Sequence, residues 1–285
     1  MALLTPATVH ALLDAHGLHP KRSLGQNFLV DPNTARRVVT LADLPEGAPV
    51  LEIGPGLGSL TLALLDAGHD VVALELDGRL ADALQDVLVD AGPDAVARVR
   101  VERGDAVTVD LDALLAPAPS PRACVSNLPY NVAVPLVIRL LEEADHVERI
   151  LVMVQREVGE RLAAGVGDPQ YGAVSVKVAY FAEAHVVGLV PPTVFVPRPK
   201  VDSALVRLHR RAEPPVSVPS ADGLFALVRA GFAQRRKMLR RSLAPLLGDA
   251  AAAVLAAAGV APTARAEELG LDDWAAVARS TAEAA

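Results

Sequence analysis

A short apolar run stops at a glycine turn and is followed at once by a helical pattern. The run is "PVLEIG" at residues 49–54, and "SLTLALLDAG" then carries apolar residues at helical spacing. The same order returns with "DVVALEL" and "GRLADALQDVLVDAG". Strands that alternate with helices pack as a parallel sheet with helices on both faces. The sequence therefore predicts an α/β fold with a doubly wound, mostly parallel sheet.

The C-terminal third of the chain has a different pattern. "SALVRLHRR", which begins at Ser203, alternates apolar and polar residues and predicts an edge strand. Residues 212–223 are rich in Pro, Ser and Ala and predict a linker. Only helical patterns follow it. We therefore predict a catalytic domain over residues 1–211 and a small all-α domain over residues 224–285.

The glycine turn predicts a ligand site. Gly54, Gly56 and Gly58 follow the first strand on alternate positions, where glycines let the backbone turn tightly and approach a ligand. The third glycine comes one residue earlier than in the dinucleotide fingerprint G-x-G-x-x-G. Glu52 lies just before the turn, which disfavours a pyrophosphate and suits a cationic ligand.

Two further acids indicate which ligand the site binds. Glu75 ends the second strand, 21 residues after Gly54, where an acid can accept both hydroxyls of a ribose. Asp105 ends the third strand and can receive an adenine amino group. An adenosine with a positive, phosphate-free tail is S-adenosylmethionine. The alternative is a tight structural turn with two solvated acids, but acids at successive strand ends favour the cofactor.

The stretch "NLPY" at residues 127–130 lies where the fourth strand ends, beside the expected methyl group. The N6 amine of adenine is a poor nucleophile because its lone pair is delocalised into the ring. The side-chain oxygen of Asn127 and the main-chain carbonyl of Leu128 can accept its two hydrogens and expose that lone pair. Pro129 stiffens the turn and Tyr130 can stack on the base. The alternative is an Asn-Pro turn followed by a core tyrosine.

These motifs carry a family resemblance over essentially the whole chain. "EIGPGLG" followed by "NLPY" resembles the ribosomal RNA adenine N6,N6-dimethyltransferases, which have a Rossmann-like class I methyltransferase fold. "SLGQNFLVD" is similar to their N-terminal segment over the cofactor, and "PPTVFVPRPKVDSALVRL" to their substrate-side loop and last strand. "FAQRRKMLRRSL" resembles the helical domain of the small-subunit branch.

The resemblance implies roles for individual residues. The implied cofactor-binding residues are Asn27, Leu29, Gly54, Glu75, Asp105 and Asn127. It also implies that Tyr130 and Phe195 sandwich the target adenine. The implied activity is methyl transfer from S-adenosylmethionine to two adjacent adenines near the 3′ end of small-subunit rRNA, each methylated twice, with a role in small-subunit biogenesis.

The charge distribution fits an RNA partner although the formal net charge is −7. Residues 41–120 hold fifteen acids against four Lys/Arg, whereas residues 196–241 hold eleven Lys/Arg against three acids. If helical throughout, the basic run at residues 229–243 would present cations on more than one face. The predicted RNA-phosphate contacts are Arg235, Arg236, Lys237 and Arg240. A merely solvated helix is the alternative.

The cysteine, the histidines and the apolar stretches bear on metal binding, cellular compartment and membrane insertion. One cysteine, Cys124, excludes an internal disulfide, and the histidines lack ligand spacing, so we expect no metal site and a cytoplasmic protein. The longest apolar stretch is Ala-rich and too short for a membrane span. We expect a monomer that acts on small-subunit rRNA in a partly assembled ribosomal subunit.

Three rival functions stay open at this point. A macrolide-resistance type enzyme that methylates large-subunit rRNA would share the catalytic motifs, although the basic segment favours the small-subunit branch. A DNA adenine methyltransferase is disfavoured because no target-recognition segment is evident. A non-catalytic ribosome assembly factor would have no use for an intact "NLPY" at residues 127–130.

Overall fold

The structure is a computed structural model that describes residues 2–20, 25–115, 122–234 and 237–284, except for the side chains of Asp112 and Leu115. The chain divides into two compact units. The first comprises Met1–Gly159 and Ala184–Arg210, and the second comprises Glu160–Glu183 and Arg211–Ala285. Residues 160–183 thus group with the C-terminal helices. A catalytic domain over residues 1–211, a linker over 212–223 and a helical domain over 224–285 stay a prediction.

Strands and helices alternate along most of the first unit, and helices dominate the second. The strands are β1 (Phe28–Leu29), β2 (Val50–Ile53), β3 (Val71–Glu75), β4 (Val99–Arg103), β5 (Arg122–Asn127), β6 (Val147–Gln155), β7 (Ala182–Val190), β8 (Phe195–Val196) and β9 (Ser203–Arg210). The helices are α1 (Pro6–Ala15), α2 (Pro32–Ala42), α3 (Ser59–Asp66), α4 (Gly78–Ala91), α5 (Pro93–Arg98), α6 (Leu111–Leu115), α7 (Ala133–Glu143), α8 (Arg156–Ala163), α9 (Ala173–Phe181), α10 (Ala221–Ala233), α11 (Leu239–Ser242), α12 (Ala244–Leu247), α13 (Ala251–Ala257) and α14 (Leu271–Glu283).

The main sheet confirms the α/β prediction. Its strand order is β4-β3-β2-β5-β6-β9-β7, and the pairs from β4 through to β6 are parallel. All four residues of β2 are buried, as are the first five of β5. Central strands of a parallel sheet are covered on both faces, which explains why they read as continuous apolar runs.

The strand order reverses between β2 and β5, where Val50 pairs with Val71 on one side and with Ala123 on the other. Ligands of open α/β sheets bind outside the carboxyl ends of the strands at such a switch point. The glycine turn after β2, Glu75 at the end of β3 and Asn127 at the end of β5 all lie at that edge.

The prediction that β9 is an edge strand is wrong. β9 pairs antiparallel with β6, and β7 lies on its other side as the edge. The first four residues of β9 are buried, although the sequence alternates. Alternation indicates that one face of a strand is solvated, but it does not show whether another strand lies along its edge, as β7 does here.

A separate core stabilises the second unit. Trp274 on α14 is fully buried and packs with apolar side chains of α10 and α13, so it anchors the last helix. The described residues 211–220 contain no helix or strand. Within the ranges that the structure describes, no helix is both long and apolar enough to cross a membrane.

The basic run is not one helix, contrary to the reading in which it is helical throughout. α10 ends at Ala233, and Met238 has an extended backbone (φ −62°, ψ 143°) as the residue that precedes α11. Arg229 therefore belongs to α10, whereas Arg240 and Arg241 belong to α11. Arg235 and Arg236 lie outside the described residues.

Candidate active site

A cavity of about 270 Å³ lies at the carboxyl ends of the parallel strands. It is lined by nine of the residues predicted from the sequence. These are Asn27, Leu29, Gly54, Glu75, Asp105, Asn127, Leu128, Pro129 and Tyr130. The structure thus brings the predicted cofactor residues and the "NLPY" stretch to one place in the first unit.

The glycine turn forms a tight cradle on one wall of this cavity. Gly54 and Gly56 have left-handed backbones, with φ of +70° and +58°. A Cβ on Gly56 would lie 3.0 Å from two ring carbons of Phe28, and one on Gly58 would lie 2.6 Å from Leu84. Side chains at these positions would combine backbone strain with a clash, so the cradle requires glycine.

Glu75 fixes the shape of the cradle. One carboxylate oxygen accepts a hydrogen bond from the Gly56 amide at 3.0 Å, and the other accepts from the Asp77 amide at 2.9 Å. Burial raises the pKa of Glu75, and these backbone donors oppose the rise. A buried carboxylate keeps spare lone pairs on both oxygens, so it can still receive hydroxyl donors from a ligand.

Glu52 is a second buried acid of the cavity and is only 1 % exposed. Its carboxylate accepts a hydrogen bond from the Thr61 hydroxyl at 2.6 Å. Burial raises the pKa of Glu52 to about 8, and the nearby Glu75 adds to the rise. Among the residues that the structure describes, no cation pairs with it, so a cationic ligand would relieve the cost of ionising it.

Asp105 follows β4 in an exposed loop at the cavity. One of its oxygens accepts from the Val107 amide at 2.8 Å. Val107 and Leu76 line the cavity with apolar side chains that are 41 % and 55 % exposed. Exposed apolar side chains beside an acid are suited to an aromatic base that also donates a hydrogen bond. Sequence reasoning missed both, although Leu76 directly follows the strand-end Glu75.

Arg139 on α7 holds the Asp105 loop and was also missed. Its guanidinium donates to the main-chain carbonyls of Ala106 and Val109 and pairs with Glu143 at 2.7 Å. The side chain is only 15 % exposed. Sequence alone gave no signal, because the carbonyls that it binds are about thirty residues away along the chain.

Asn127 has a defined orientation. Its carboxamide nitrogen donates to the main-chain carbonyl of Asn27 at 3.0 Å. A carbonyl can only accept, so this contact identifies the nitrogen and leaves the amide oxygen available as an acceptor. The next residue, Leu128, is held by its amide, which donates to the Met153 carbonyl at 3.1 Å.

The turn after Asn127 closes with a hydrogen bond from the Val132 amide to the Pro129 carbonyl at 3.2 Å. Tyr130 lies within it and lines the cavity. Its hydroxyl is hydrogen-bonded to the Ser203 hydroxyl at 2.7 Å. Burial raises the pKa of Tyr130 and Ser203 opposes the rise, so the phenol is neutral at physiological pH.

The described part of the N-terminal segment, residues 25–31, packs against this turn. β1 pairs antiparallel with β8, with Leu29 opposite Phe195. Gly25 approaches so closely that an added Cβ would lie 3.0 Å from the Tyr130 amide and 2.9 Å from the Asn131 side chain. The segment therefore has contacts to both the cofactor side and the base side of the cavity.

Phe195, which is predicted to stack on the target adenine, lies in the apolar core. It is 2 % exposed, belongs to the apolar core of the first unit and is absent from the cavity wall. The pairing of β8 with β1 directs it into the core. An adenine sandwiched between Tyr130 and Phe195 would require a different position of Phe195.

The remaining predicted residues and Cys124 are placed as follows. Lys237 and Arg240 are exposed in the second unit. Cys124 is fully buried in β5. Burial raises the pKa of its thiol to about 12, so it is not a nucleophile near neutral pH.

Solved structures share this fold. A 23S rRNA methyltransferase, ErmE, is similar with a TM-score of 0.67 and 29% identity, covering 90% of this chain and 100% of its own. A dimethyladenosine transferase from Plasmodium falciparum has a TM-score of 0.71 and 24% identity, covering 88% of this chain and 95% of its own. The fold is that of the Rossmann-like class I methyltransferases with a C-terminal helical region.

Sequence comparisons identify the family. The model described as "Ribosomal RNA adenine dimethylase" matches residues 17–283. A ribosomal RNA small subunit methyltransferase A from Thermobifida fusca is 49% identical, over 97% of this chain and 95% of its own length. One of the same name from Nocardia farcinica is 48% identical, over 99% and 96%. The chain belongs to the ribosomal RNA adenine dimethylase family, which confirms the resemblance drawn from the motifs.

Proposed function

We propose that this protein transfers methyl groups from S-adenosylmethionine to N6 of two adjacent adenines near the 3′ end of small-subunit rRNA. The observation that carries the proposal is the fixed carboxamide of Asn127. Its nitrogen is engaged by the Asn27 carbonyl, so its oxygen remains as an acceptor in a cavity whose other walls suit an adenosine.

The residues of the cavity fit the proposed cofactor. Three acids line it, Glu52, Glu75 and Asp105, together with the glycine cradle and two exposed apolar side chains. A phosphate-bearing nucleotide would meet carboxylates with like charge, whereas a ligand with a cationic tail would be attracted. Glu75 would accept from the ribose and Asp105 from the base. When bound, S-adenosylmethionine supplies a methyl group on a sulfonium, and the neutral thioether that remains is a good leaving group.

The protein's own groups act by orientation. The amide oxygen of Asn127 and the Leu128 carbonyl would accept the two hydrogens of the target amine and favour a tetrahedral nitrogen with an available lone pair. Tyr130 would stack on the base once it leaves its own stack. No strong base is required, because the amine proton can leave after the methyl group has transferred.

The choice of substrate follows the relatives. Those at 48–49% identity are named small-subunit methyltransferases, whereas the 23S rRNA enzyme is 29% identical. Both similarities extend over most of the chain, so the difference in identity supports the small subunit. A large-subunit substrate is the second candidate.

The partner that we propose is rRNA within a partly assembled small subunit in the cytoplasm, bound by a monomer. Lys237 and Arg240 are exposed, and within the described residues neither has an acidic partner. We propose that they contact phosphates together with Arg235 and Arg236. A role in small-subunit biogenesis would follow from action on this substrate.

The test is incubation with labelled S-adenosylmethionine and small subunits that lack the modification, followed by nucleoside analysis. We expect N6,N6-dimethyladenosine at two adjacent positions and far slower formation with the Asn127→Ala variant. Large subunits and their free rRNA are the matched controls. Label in the large-subunit RNA alone would favour the second candidate, and no transfer to either RNA would overturn the enzymatic proposal.

A further inference from the structure

The ring of Tyr130 is held at its far end by a buried hydroxyl. The phenol oxygen lies 2.7 Å from the Ser203 hydroxyl oxygen, although the two residues are 73 positions apart in the chain. Ser203 has no exposed surface. A buried hydroxyl that loses its partner is destabilising, so this pair has a strong tendency to persist.

Ser203 is a rigid point of attachment. It is the first residue of β9 and stands opposite Gln155 of β6 in the sheet. The adjacent residues extend this register, because the Arg156 amide donates to the Asp202 carbonyl at 3.0 Å. The main chain of Tyr130, by contrast, belongs to a turn rather than to the sheet. Ser203 thus connects the aromatic ring of a turn residue to the central sheet.

The cavity offers no alternative stacking platform among its described aromatic residues. Phe28 and Tyr130 are the two that line it. Phe28 is 8 % exposed and packs on the glycine turn, where its ring carbons lie 3.0 Å from the Cβ position of Gly56. Phe195 is buried in the core. Capture of a base therefore depends on the orientation of one ring.

We propose that Ser203 is a positioning residue that anchors the far end of the Tyr130 ring, so that the target adenine stacks with its amine at Asn127. The inference rests on the proposed transfer to adenine. A ring that is tethered at both ends is already oriented before the base arrives, and preorganisation of this kind raises the rate of a step limited by geometry. Without the Ser203 hydroxyl the far end of the ring could swing away by rotation about the Cα–Cβ bond.

The test compares Ser203→Ala, Tyr130→Phe and the double variant in single-turnover methylation at saturating small subunits. Each single variant removes the same hydrogen bond from one side and keeps the aromatic ring. We expect each to lower the rate roughly tenfold, and the double variant to be no slower than the slower single one. Affinity for subunits and for S-adenosylmethionine should stay within about twofold, because phosphate contacts and the cofactor wall are untouched.

A second readout reports stacking directly. Small subunits that carry 2-aminopurine at the target position should show weaker quenching with Ser203→Ala than with wild type, while the Asn127→Ala variant should quench normally. Additive losses in the double variant, or wild-type rate and quenching in Ser203→Ala, would overturn the inference. If Ser203→Ala does not fold, Tyr130→Phe alone decides by the same two measurements.

The two proposals fail in different ways. Wild-type protein that produces no methylated adenosine in either subunit would overturn the proposed function and this inference with it. Normal methylation by wild type together with a fully active Ser203→Ala would overturn only the role of Ser203.

Discussion

The carboxamide nitrogen of Asn127 donates to the main-chain carbonyl of Asn27, 3.0 Å away and 100 residues earlier in the chain. The side chain of Asn27 in turn donates to the Gly25 carbonyl at 3.0 Å. The N-terminal segment therefore orients the amide that we propose to bind the target amine. The main-chain carbonyl of Asn27 thus links the residues proposed to bind the cofactor to the residue proposed to bind the target amine. A side-chain substitution at Asn27 would leave that carbonyl in place.

We expect Asn127→Ala to lose methyl transfer while the fold is retained. One acceptor of the amine hydrogens disappears, and the loss of one hydrogen bond in a transition state typically lowers a rate by about 10²-fold or more. Single-turnover methylation of small subunits measures the effect. Asn33→Ala, at an exposed position on α2, is the matched control and should be fully active. A near-normal rate in Asn127→Ala would contradict the proposed mechanism.

Gly25→Ala should impair methylation by displacing the N-terminal segment. Gly25 has φ +65°, and an added Cβ would lie 2.9 Å from the Asn131 side-chain oxygen and 3.0 Å from the Tyr130 amide. Gly17→Ala is a close control, because Gly17 has φ +57° but nothing within 4 Å of its Cβ position. Both variants incur backbone strain of about 1 kcal/mol. We expect a rate loss of roughly tenfold in Gly25→Ala only, and equal rates would show that the segment does not orient Asn127.

Glu52 predicts a proton linked to cofactor binding. Its pKa is about 8 in the free protein because it is buried. A cationic ligand favours the carboxylate, so binding below that pH should release a proton. Calorimetry at pH 7 in buffers of different ionisation enthalpy measures the release, which should vanish in Glu52→Gln. An unchanged proton count in Glu52→Gln would assign the release to another group.

The same shift predicts how stability depends on pH. The folded pKa of Glu52 is raised above the ordinary value of 4.5, so between pH 4.5 and about 8 the native state holds a proton that the unfolded state has lost. Its contribution to the free energy of unfolding therefore falls as pH rises through that window. The ligand-free Glu52→Gln variant should show a shallower decline in thermal stability from pH 5 to 8. Parallel stability curves would contradict the assignment.

Features that depend on residues close together in the sequence were predictable, whereas features that depend on contacts between distant segments were not. Gly54, Glu75 and Asn127 were predicted because each follows a strand, and parallel strands bring their carboxyl ends to one edge. Glycine turns and the periodicities of strands and helices are local signals, and such signals indicate where each strand or helix begins and ends.

Contacts between distant segments were not predictable in the same way. The hydrogen bond between the Tyr130 and Ser203 hydroxyls joins residues 73 positions apart, and the sequence around either residue does not specify its partner. The burial of Phe195 depends on the pairing of two-residue strands, β1 with β8. The basic run looked helical by composition, but the extended backbone at Met238 interrupts it. Tertiary packing decides each of these outcomes.

Phe195 can be tested by separating volume from aromaticity. Because it is 2 % exposed in the core, Phe195→Ala should destabilise the protein by about 3–5 kcal/mol. Phe195→Leu retains most of the apolar volume and should therefore lose less than about 1.5 kcal/mol of stability and keep its methylation rate. A stable Phe195→Leu variant that no longer quenches 2-aminopurine at the target position would instead support the base-stacking role implied by the family.

The basic segment gives a prediction about charge that does not depend on the chemistry of transfer. Replacing Lys237 and Arg240 with Gln should weaken binding to small subunits and leave cofactor affinity unchanged. Each lost phosphate contact should also reduce the slope of log K against log salt by up to ~0.9.

The control replaces Arg36 and Arg79 with Gln, which changes the net charge by the same amount. Each of these two arginines lies beside an acid, Asp66 at 3.7 Å and Asp77 at 3.9 Å, and is therefore a poorer candidate for a phosphate contact. Binding at several salt concentrations should give a shallower line for the Lys237/Arg240 variant alone. Coincident lines for that variant and wild type would mean that this segment is a solvated surface, and the RNA would then have to follow cations elsewhere, such as the exposed Arg198 and Lys200.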